Sequence, residues 1–514
     1  MGVASAWGFA LVGIEAVPVR VEAHARSGLP GVTIVGLPGA AVREARERIR
    51  SGAASSGLAL PTRRITINLS PGDVPKDGSG FDLPVALATL AACGQLPAES
   101  LREVGAVGEV SLDGMVRPSR GMLPVAETAG RIGVGLLIVP LEGLAAACEV
   151  SLVPVAGVRS LAEAVRVVRS VDYRSHIIER GRRWLRTQRQ PVPVDSAERC
   201  DLNEVAGHHH AKRALEIVAA GGHHLLMVGS PGAGKTMLAR RLASVLPPLS
   251  RGEAVEVTRV WSAAGLAAAH SGLIKERPFR APHHTASRAA LVGGGAVLRP
   301  GEVSLAHRGV LFLDELPEFS RDAIEALRQP LEEGRIAISR RVGTSVFPAA
   351  FSLVAAMNPC PCGYLGHTEK TCRCPASAVE RYRARISGPL LDRIDALIEI
   401  PPITALSFES EINGETSATV RARVDAAVAF RKRRSAAPGD FAPGSIEQRN
   451  HLSREARAFL LEALLRESLS GRAYVRVIGL ARTIADLDNV LPIELEHVAE
   501  ALALRLDYRR LQFA

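Results

Sequence analysis

Aromatic residues make up only 4% of this 514-residue chain, and it has just seven cysteines. That odd count, with four thiols packed between positions 360 and 374, argues against a disulfide framework. Basic residues are missing from the first nineteen positions, so the N-terminus lacks the charged start of a secretory signal. The apolar run 83–98 holds two prolines, a glycine and a glutamine, and is too short to span a bilayer. No membrane association and a reducing cytoplasm are the expectation. Collagen-like periodicity is absent despite 47 Gly and 32 Pro, and a 47% apolar content excludes a disordered chain. An acidic surplus is absent too: 63 Lys and Arg outweigh 53 Asp and Glu. Ten extra positive charges permit a nucleic-acid or phosphate partner without requiring one.

What is present divides into blocks, as the length alone suggests at about 100–200 residues per domain. Residues 1–170 alternate β-rich runs (17–24, 31–35, 64–69) with Ala-rich helical stretches (40–52, 83–93), an α/β or α+β pattern. Residues 171–198 read as a basic helix and a Pro-broken linker, with six arginines against two acids from Asp172 to Gln190 and then Pro191 and Pro193. Residues 199–402 contain three apolar strands ending in polar residues, as a parallel sheet with its site at the carboxyl ends of the strands would. Residues 403–514 have helical periodicity.

The third block carries the chemistry. Gly229-Ser230-Pro231-Gly232-Ala233-Gly234-Lys235-Thr236 satisfies G-x-x-x-x-G-K-[ST], between a strand ending at 228 and a helix over 237–245. Its glycines let backbone N–H groups wrap phosphates at the positive end of a helix. Lys235 is assigned to the β- and γ-phosphates of ATP, and Thr236 to Mg²⁺. The strand Val310–Leu313 runs into Asp314 and Glu315, read as the Mg²⁺ holder and the group that polarises attacking water. Asn358 ends the third strand and is placed to orient that water or the γ-phosphate.

These motifs, in this order, with SGPLLDRID at 387–395, SGRAYVRVIGLARTIADLD at 470–488, FRAPHHTAS at 279–287 and HAKRALEIVAAGGHHLLMVG at 210–229, resemble the magnesium-chelatase branch of AAA+ ATPases. Within it the chain is similar to the competence-associated ComM (YifB) family. The resemblance implies an α/β architecture of three parts: an N-terminal Lon-protease-like α+β domain, a P-loop AAA+ domain with a parallel sheet, and a C-terminal helical lid. It also implies a homo-oligomeric ring, expected to be a hexamer, with ATP between subunits. Arg393 would be the arginine finger. Arg472 would be the sensor arginine, with Arg476, one turn on, as the competing assignment.

Four further features are expectations. Cys360, Cys362, Cys372 and Cys374 could enclose a structural Zn²⁺ tetrahedrally, a redox pair or simple packing being the alternatives. The His pairs at 208–210, 223–224 and 283–284 read as packing or nucleotide-site polar residues rather than ligands. Pro75–Asp82 resembles the Lon nucleophile segment, but Gly80 stands where its serine belongs and Leu123 where its lysine belongs, so no Ser–Lys dyad is expected. The segment 334–343 alternates like a β-ribbon tipped by Arg340 and Arg341, resembling the DNA-tracking hairpin of replicative helicases. Those arginines are the expected sequence-independent contacts to single-stranded or branched DNA. An ATP-driven helicase or branch-migration motor is therefore expected. A protein-remodelling or chelatase-type motor that never meets DNA is the alternative.

Overall fold

A computed structural model describes residues 3–58, 60, 63–187, 200–266, 272–295, 298–340, 343–367, 369–402, 414–435, 446, 450–467 and 470–513; the side chains of 339, 340, 343, 344, 435, 467 and 506–513 are outside the description. The N-terminal part is built on a seven-stranded sheet in the order β3-β4-β2-β1-β5-β8-β9. Its strands are β1 (Ala4–Val12), β2 (Glu15–Arg26), β3 (Gly31–Val35), β4 (Arg64–Ser70), β5 (Val104–Ala106), β8 (Leu136–Pro140) and β9 (Val155–Val158), with β6 (Glu109–Val110) and β7 (Val116–Arg117) forming a small separate ribbon. Residues alternate between buried and half-buried along β1 and β2, which is why they read as strands. Helices α1 (Ala40–Ser55), α2 (Asp82–Ala92), α3 (Met122–Ile132), α4 (Leu144–Val150) and α5 (Leu161–Arg169) cover the sheet. Helix α6 (Val171–Thr187) is the Arg-rich stretch. It is not free: Ile177 is buried in the N-terminal core, and Arg180 forms an ion pair with Glu163 at 2.7 Å.

The second sheet is five-stranded and wholly parallel, in the order β11-β14-β17-β10-β18. Strands β10 (Leu225–Gly229), β14 (Val310–Leu313) and β17 (Ser352–Met357) are buried along their whole length, as an inner parallel strand covered on both faces must be. Edge strands β11 (Phe279–Arg280) and β18 (Ala396–Ile400) complete it; β12 (Gly293–Gly294) and β13 (Arg299–Pro300) make a minor ribbon. Side chains such as Met227, Phe312 and Val354 face helices α7 (His209–Gly221) and α8 (Lys235–Val245). The same core takes in the C-terminal helices Ser417–Ser435, Arg454–Glu467, Gly471–Leu487 and Leu495–Phe513. The opposite face packs on helix α9 (Arg251–Ala264). The chain is thus a mixed α/β protein with a C-terminal helical region.

The hairpin β15 (Arg335–Arg340) and β16 (Gly343–Pro348) leaves the sheet between β14 and β17. It is longer than the sequence pattern suggested, because Arg335 pairs with Pro348 and the second strand runs on past Gly343. Its root touches the first domain. The turn between β1 and β2 sets Gly13 against Ser345 and Phe347, and Ile14 joins the core beneath the parallel sheet. Nearby, Arg259 of α9 grips Glu127 of α3 with two hydrogen bonds of 2.8 Å.

Candidate active site

The ends of β10, β14 and β17 bring the predicted nucleotide residues together. The chain leaves β10 through Gly229 and turns through Gly232 and Gly234, both at positive φ, into helix α8. Only glycine adopts those conformations without strain, so the loop stays open with N–H groups at the helix start. Ser230 contributes a buried hydroxyl with no protein partner. Pro231 forms the outer edge, and Ala233 is buried beneath the loop.

Lys235 is only 8% exposed, and its ammonium donates to Gly229 O (2.6 Å), Ser230 O (2.9 Å) and Asn358 Oδ1 (3.1 Å). All three acceptors are neutral. Burial lowers the lysine pKa, opposed by the charges of Asp314 and Glu315. A buried cation served only by neutral oxygens and lying beside an orphan hydroxyl is a fitting donor set for an anionic phosphate.

Thr236 Oγ1 donates to Asp314 Oδ2 at 2.6 Å. A hydroxyl and a carboxylate oxygen side by side are hard oxygen ligands of the kind Mg²⁺ takes alongside waters and phosphate. Glu315 follows with a left-handed backbone (φ 52°), and its N–H donates to Asp314 Oδ1 at 2.9 Å. A non-glycine residue at positive φ just after a buried strand is an uncommon conformation that clusters at functional sites. His284, one of the paired histidines, brings Nδ1 to 3.5 Å from Glu315 Oε2, with its ring 4.1 Å from that of His283. Sequence reasoning had not singled out this contact. The available signal was that 281–284 follow β11, the parallel neighbour of β14, so the two strand ends had to lie together.

The two arginines implied by the family resemblance lie elsewhere. Arg393, 6% exposed, donates to Pro389 O at 2.6 Å and pairs with Glu332 on the short helix Arg328–Glu333. Arg472 is exposed and approaches the same Glu332 at 3.8 Å. Among the described residues, their polar contacts gather on that carboxylate and not on the P-loop. Arg476, the competing sensor, pairs with Asp395 at the start of β18, the end of the sheet away from the nucleotide motifs. Burial pushes the Asp395 carboxyl up, but the hydrogen bond from His223 and the charge of Arg476 hold it below the usual carboxylate range. Half-buried His224 is pushed down to about 4, chiefly by desolvation, and accepts from Leu353 N–H at 3.0 Å.

The four cysteines converge in the loop after β17. Cys360, Cys362 and Cys372 have Sγ separations of 3.4, 3.6 and 3.6 Å, and all four sulfurs lie within 4.8 Å of one another. With Zn–S bonds of about 2.3 Å, the sulfurs of a tetrahedral site stand about 3.8 Å apart. Backbone N–H groups of Tyr364 and Arg373 hold the Cys362 thiol down at about 6, a thiolate at neutral pH.

In the N-terminal domain, Ser79 Oγ is hydrogen-bonded to the Glu109 carboxylate, and the Lys76 ammonium donates to Pro71 O. Leu123 is fully buried, and a side chain at Gly80 would place its Cβ 2.9 Å from Ser119 Oγ. Among the described residues no lysine amine meets a serine hydroxyl there. Of the DNA candidates, Arg340 ends β15 with its side chain outside the description, and Arg341 lies outside the described residues.

Three family models describe most of the chain. "Magnesium chelatase, subunit ChlI" matches residues 201–407, "Subunit ChlI of Mg-chelatase" 21–143, and "Magnesium chelatase, subunit ChlI C-terminal" 414–505. The chain is 42% identical over 505 residues to the YifB protein of Salmonella typhimurium, covering 96% of each. It is 41% identical over 517 residues to the competence protein ComM of Haemophilus influenzae, covering 100% of this chain and 99% of that one. Over 154 residues it is 35% identical to the Lon protease of Chloroflexus aurantiacus, which is 27% of this chain and 18% of the protease.

Proposed function

Because the chain belongs to the magnesium-chelatase-like ComM/YifB family, we propose that it is an ATP-hydrolysing AAA+ ring motor that acts on DNA. The observation that carries the ATPase reading is the convergence of Lys235, Thr236, Asp314 and Asn358 at three adjacent strand ends. Residues 229–236 bind the phosphates of ATP. Thr236 and Asp314 would hold Mg²⁺, which would supply charge neutralisation to the phosphates. Glu315 polarises the attacking water, with His284 fixing its carboxylate, and Asn358 aligns water or γ-phosphate against Lys235. Arg393 serves a neighbouring subunit's site, for which it must leave Glu332; a guanidinium supplied in trans is worth about 10³–10⁵ in rate. Arg472 acts from the lid as the sensor. A ring, read as a hexamer, follows from that division of labour.

DNA is the proposed track because the β15–β16 hairpin emerges between the two strands that bear the hydrolytic groups, so its root can move with the nucleotide state. Arg340 and Arg341 at its tip grip phosphates without sequence preference. The Haemophilus relative is named a competence protein, and we read recombination of incoming DNA, by branch migration, as the role. The four cysteines hold a structural Zn²⁺. A cytoplasmic location agrees with this, and no helix among the described residues is long and apolar enough to cross a membrane.

A protein-remodelling motor is the second reading, favoured by one observation: several of the basic residues are tied up inside the fold. Arg277 donates to Pro247 O and Arg308 O, Arg280 pairs with Glu302, and Arg434 pairs with Asp486. The deciding experiment is strand exchange on a three-strand junction with ATP. The wild type should resolve it, Glu315→Gln should bind ATP without resolving it, and the Arg340→Ala/Arg341→Ala chain should lose DNA-stimulated turnover. ATP hydrolysis that no DNA alters at low salt overturns the DNA motor.

A further inference from the structure

We propose that zinc held by Cys360, Cys362, Cys372 and Cys374 is a clamp on the nucleotide site, so that metal and ATP binding are thermodynamically coupled. This rests on the ATP and zinc readings above and adds the link between them.

Residues 358–375 join β17 to the helix Ala376–Arg383 and, among those described, form no helix or strand. Such a loop exceeds the roughly 12–15 residues at which an unstructured connection becomes uncommon inside a domain. A fastening is needed, and the four sulfurs are arranged as one. Their spacing suits a single tetrahedral ion; a polynuclear iron–sulfur cluster would set its ligand sulfurs on separate metals, further apart. Backbone N–H groups directed at Cys362 and Cys372, the latter from Cys374 at 3.4 Å, supply outer-shell donors that thiolate ligands use.

The fastened loop touches the P-loop at two points. At its start, Asn358 accepts a hydrogen bond from Lys235. Immediately after Cys362, Gly363 (φ +83°) lies so close to Pro231 that a Cβ there would overlap Pro231 Cδ and stand 2.6 Å from Cγ. Both the outer edge of the phosphate loop and its lysine are therefore positioned by a segment whose own order depends on the cysteines. Releasing the ion frees the segment, and the P-loop then has to be ordered at the cost of nucleotide affinity. Coupling of this kind is reciprocal, so bound nucleotide must strengthen zinc retention by the same factor.

The test uses the full chain. Elemental analysis should find one zinc per protomer, lost in Cys372→Ser and kept in the control Cys148→Ser. Zinc release from folded wild type by a mercurial, followed with a chromogenic chelator, should be slowed by ATP and Mg²⁺. That protection should vanish in Lys235→Ala. The zinc-depleted chain should bind a fluorescent ATP analogue at least tenfold more weakly and recover on zinc addition. Gly363→Ala should weaken nucleotide binding while retaining its zinc. If Cys372→Ser does not fold, the mercurial titration of wild type still decides. Nucleotide affinity unchanged within twofold after zinc loss overturns the coupling. A chain that binds ATP but no zinc overturns the metal site. A zinc-loaded chain that binds no ATP overturns the ATPase reading, and the coupling with it, while the metal site stands.

Discussion

Replacing Arg472 and Arg476 separately by alanine distinguishes the two candidate sensor arginines, because the fold gives them different surroundings. Arg476 pairs with Asp395, whose side chain is 9% exposed. Removing one partner of a buried pair costs about 3–5 kcal/mol when the remaining charge is stranded. Asp395 is not wholly stranded, since it still accepts from His224 N–H at 2.8 Å and lies 3.6 Å from His223 Nδ1. The loss should therefore be nearer about 2 kcal/mol than the full figure. For a unit of about 150–250 residues each kcal/mol moves Tm by about 2–4 °C, so Arg476→Ala should melt about 4–8 °C lower. Arg472 is 60% exposed and 3.8 Å from an exposed Glu332, a solvent-screened contact that adds little to stability. Arg472→Ala should thus keep its Tm within a few degrees while turnover at saturating ATP falls by at least about tenfold, as loss of a transition-state guanidinium requires. Calorimetry and steady-state ATPase on the same preparations read both quantities. An Arg476→Ala chain that melts like wild type but has lost turnover, beside a fully active Arg472→Ala, would refute the reasoning and exchange the roles.

Three other outcomes follow from the same geometry. His284→Ala should lower turnover several-fold with little change in KM, with partial rescue by His284→Gln, because the histidine positions Glu315 without holding nucleotide; a rise in KM alone would count against it. Asp395, held below its ordinary pKa in the folded chain, contributes stability that is complete above about pH 4 and lost as pH falls further, so Asp395→Asn should be less stable at neutral pH and flatter in its response to acid. Parallel pH curves for the two chains would contradict this. Ile14→Ala removes an anchor that is 7% exposed and costs up to about 2–5 kcal/mol. It should reduce DNA-stimulated turnover more than basal turnover, and an unchanged ratio of the two would show that the hairpin root does not need the first domain.

The nucleotide site was legible because each of its motifs is local. An apolar run specifies a buried strand, the strand end specifies where the polar residues stand, and Gly229–Thr236, Asp314–Glu315 and Asn358 each follow such a run. The cysteine convergence was legible for the same reason, since all four thiols lie within one short segment. Partners that depend on tertiary placement were not legible. Nothing near Arg476 in sequence announces Asp395, and nothing near Arg393 announces Glu332, yet those carboxylates set where both guanidiniums point. Several arginines that count in the sequence only as charge are also tied up by distant partners. In the fold, Arg277 is half-buried on two carbonyls and Arg280 is bound to Glu302. Likewise Arg431 donates to Ala220 O and Arg434 pairs with Asp486. An arginine count records charge, while the partner that neutralises it comes from another part of the chain.

Those pairings occupy four of the arginines, while Lys275, Arg288, Arg299, Lys432 and Arg433 stay exposed; among the basic elements the β15–β16 hairpin has unusual support. Its root residue Phe347 is fully buried and meets the β1–β2 turn of the N-terminal domain, with Ile14 in the same core. Helix α3, which carries the leucine standing where a protease lysine would be, is the helix that grips α9 through Glu127 and Arg259. The N-terminal domain therefore makes two contacts with the ATPase domain, one at the hairpin root and one on the helix that backs the parallel sheet. A scaffold of that kind needs its packing and does not need a nucleophile. Leu123 contributes apolar burial at a place where a charged amine would have to be desolvated, and Gly80 leaves room for Ser119 where a side chain would crowd it. Loss of the dyad and gain of the docking surface are consistent parts of one role: a protease fold kept for its shape, bracing the element proposed to hold DNA.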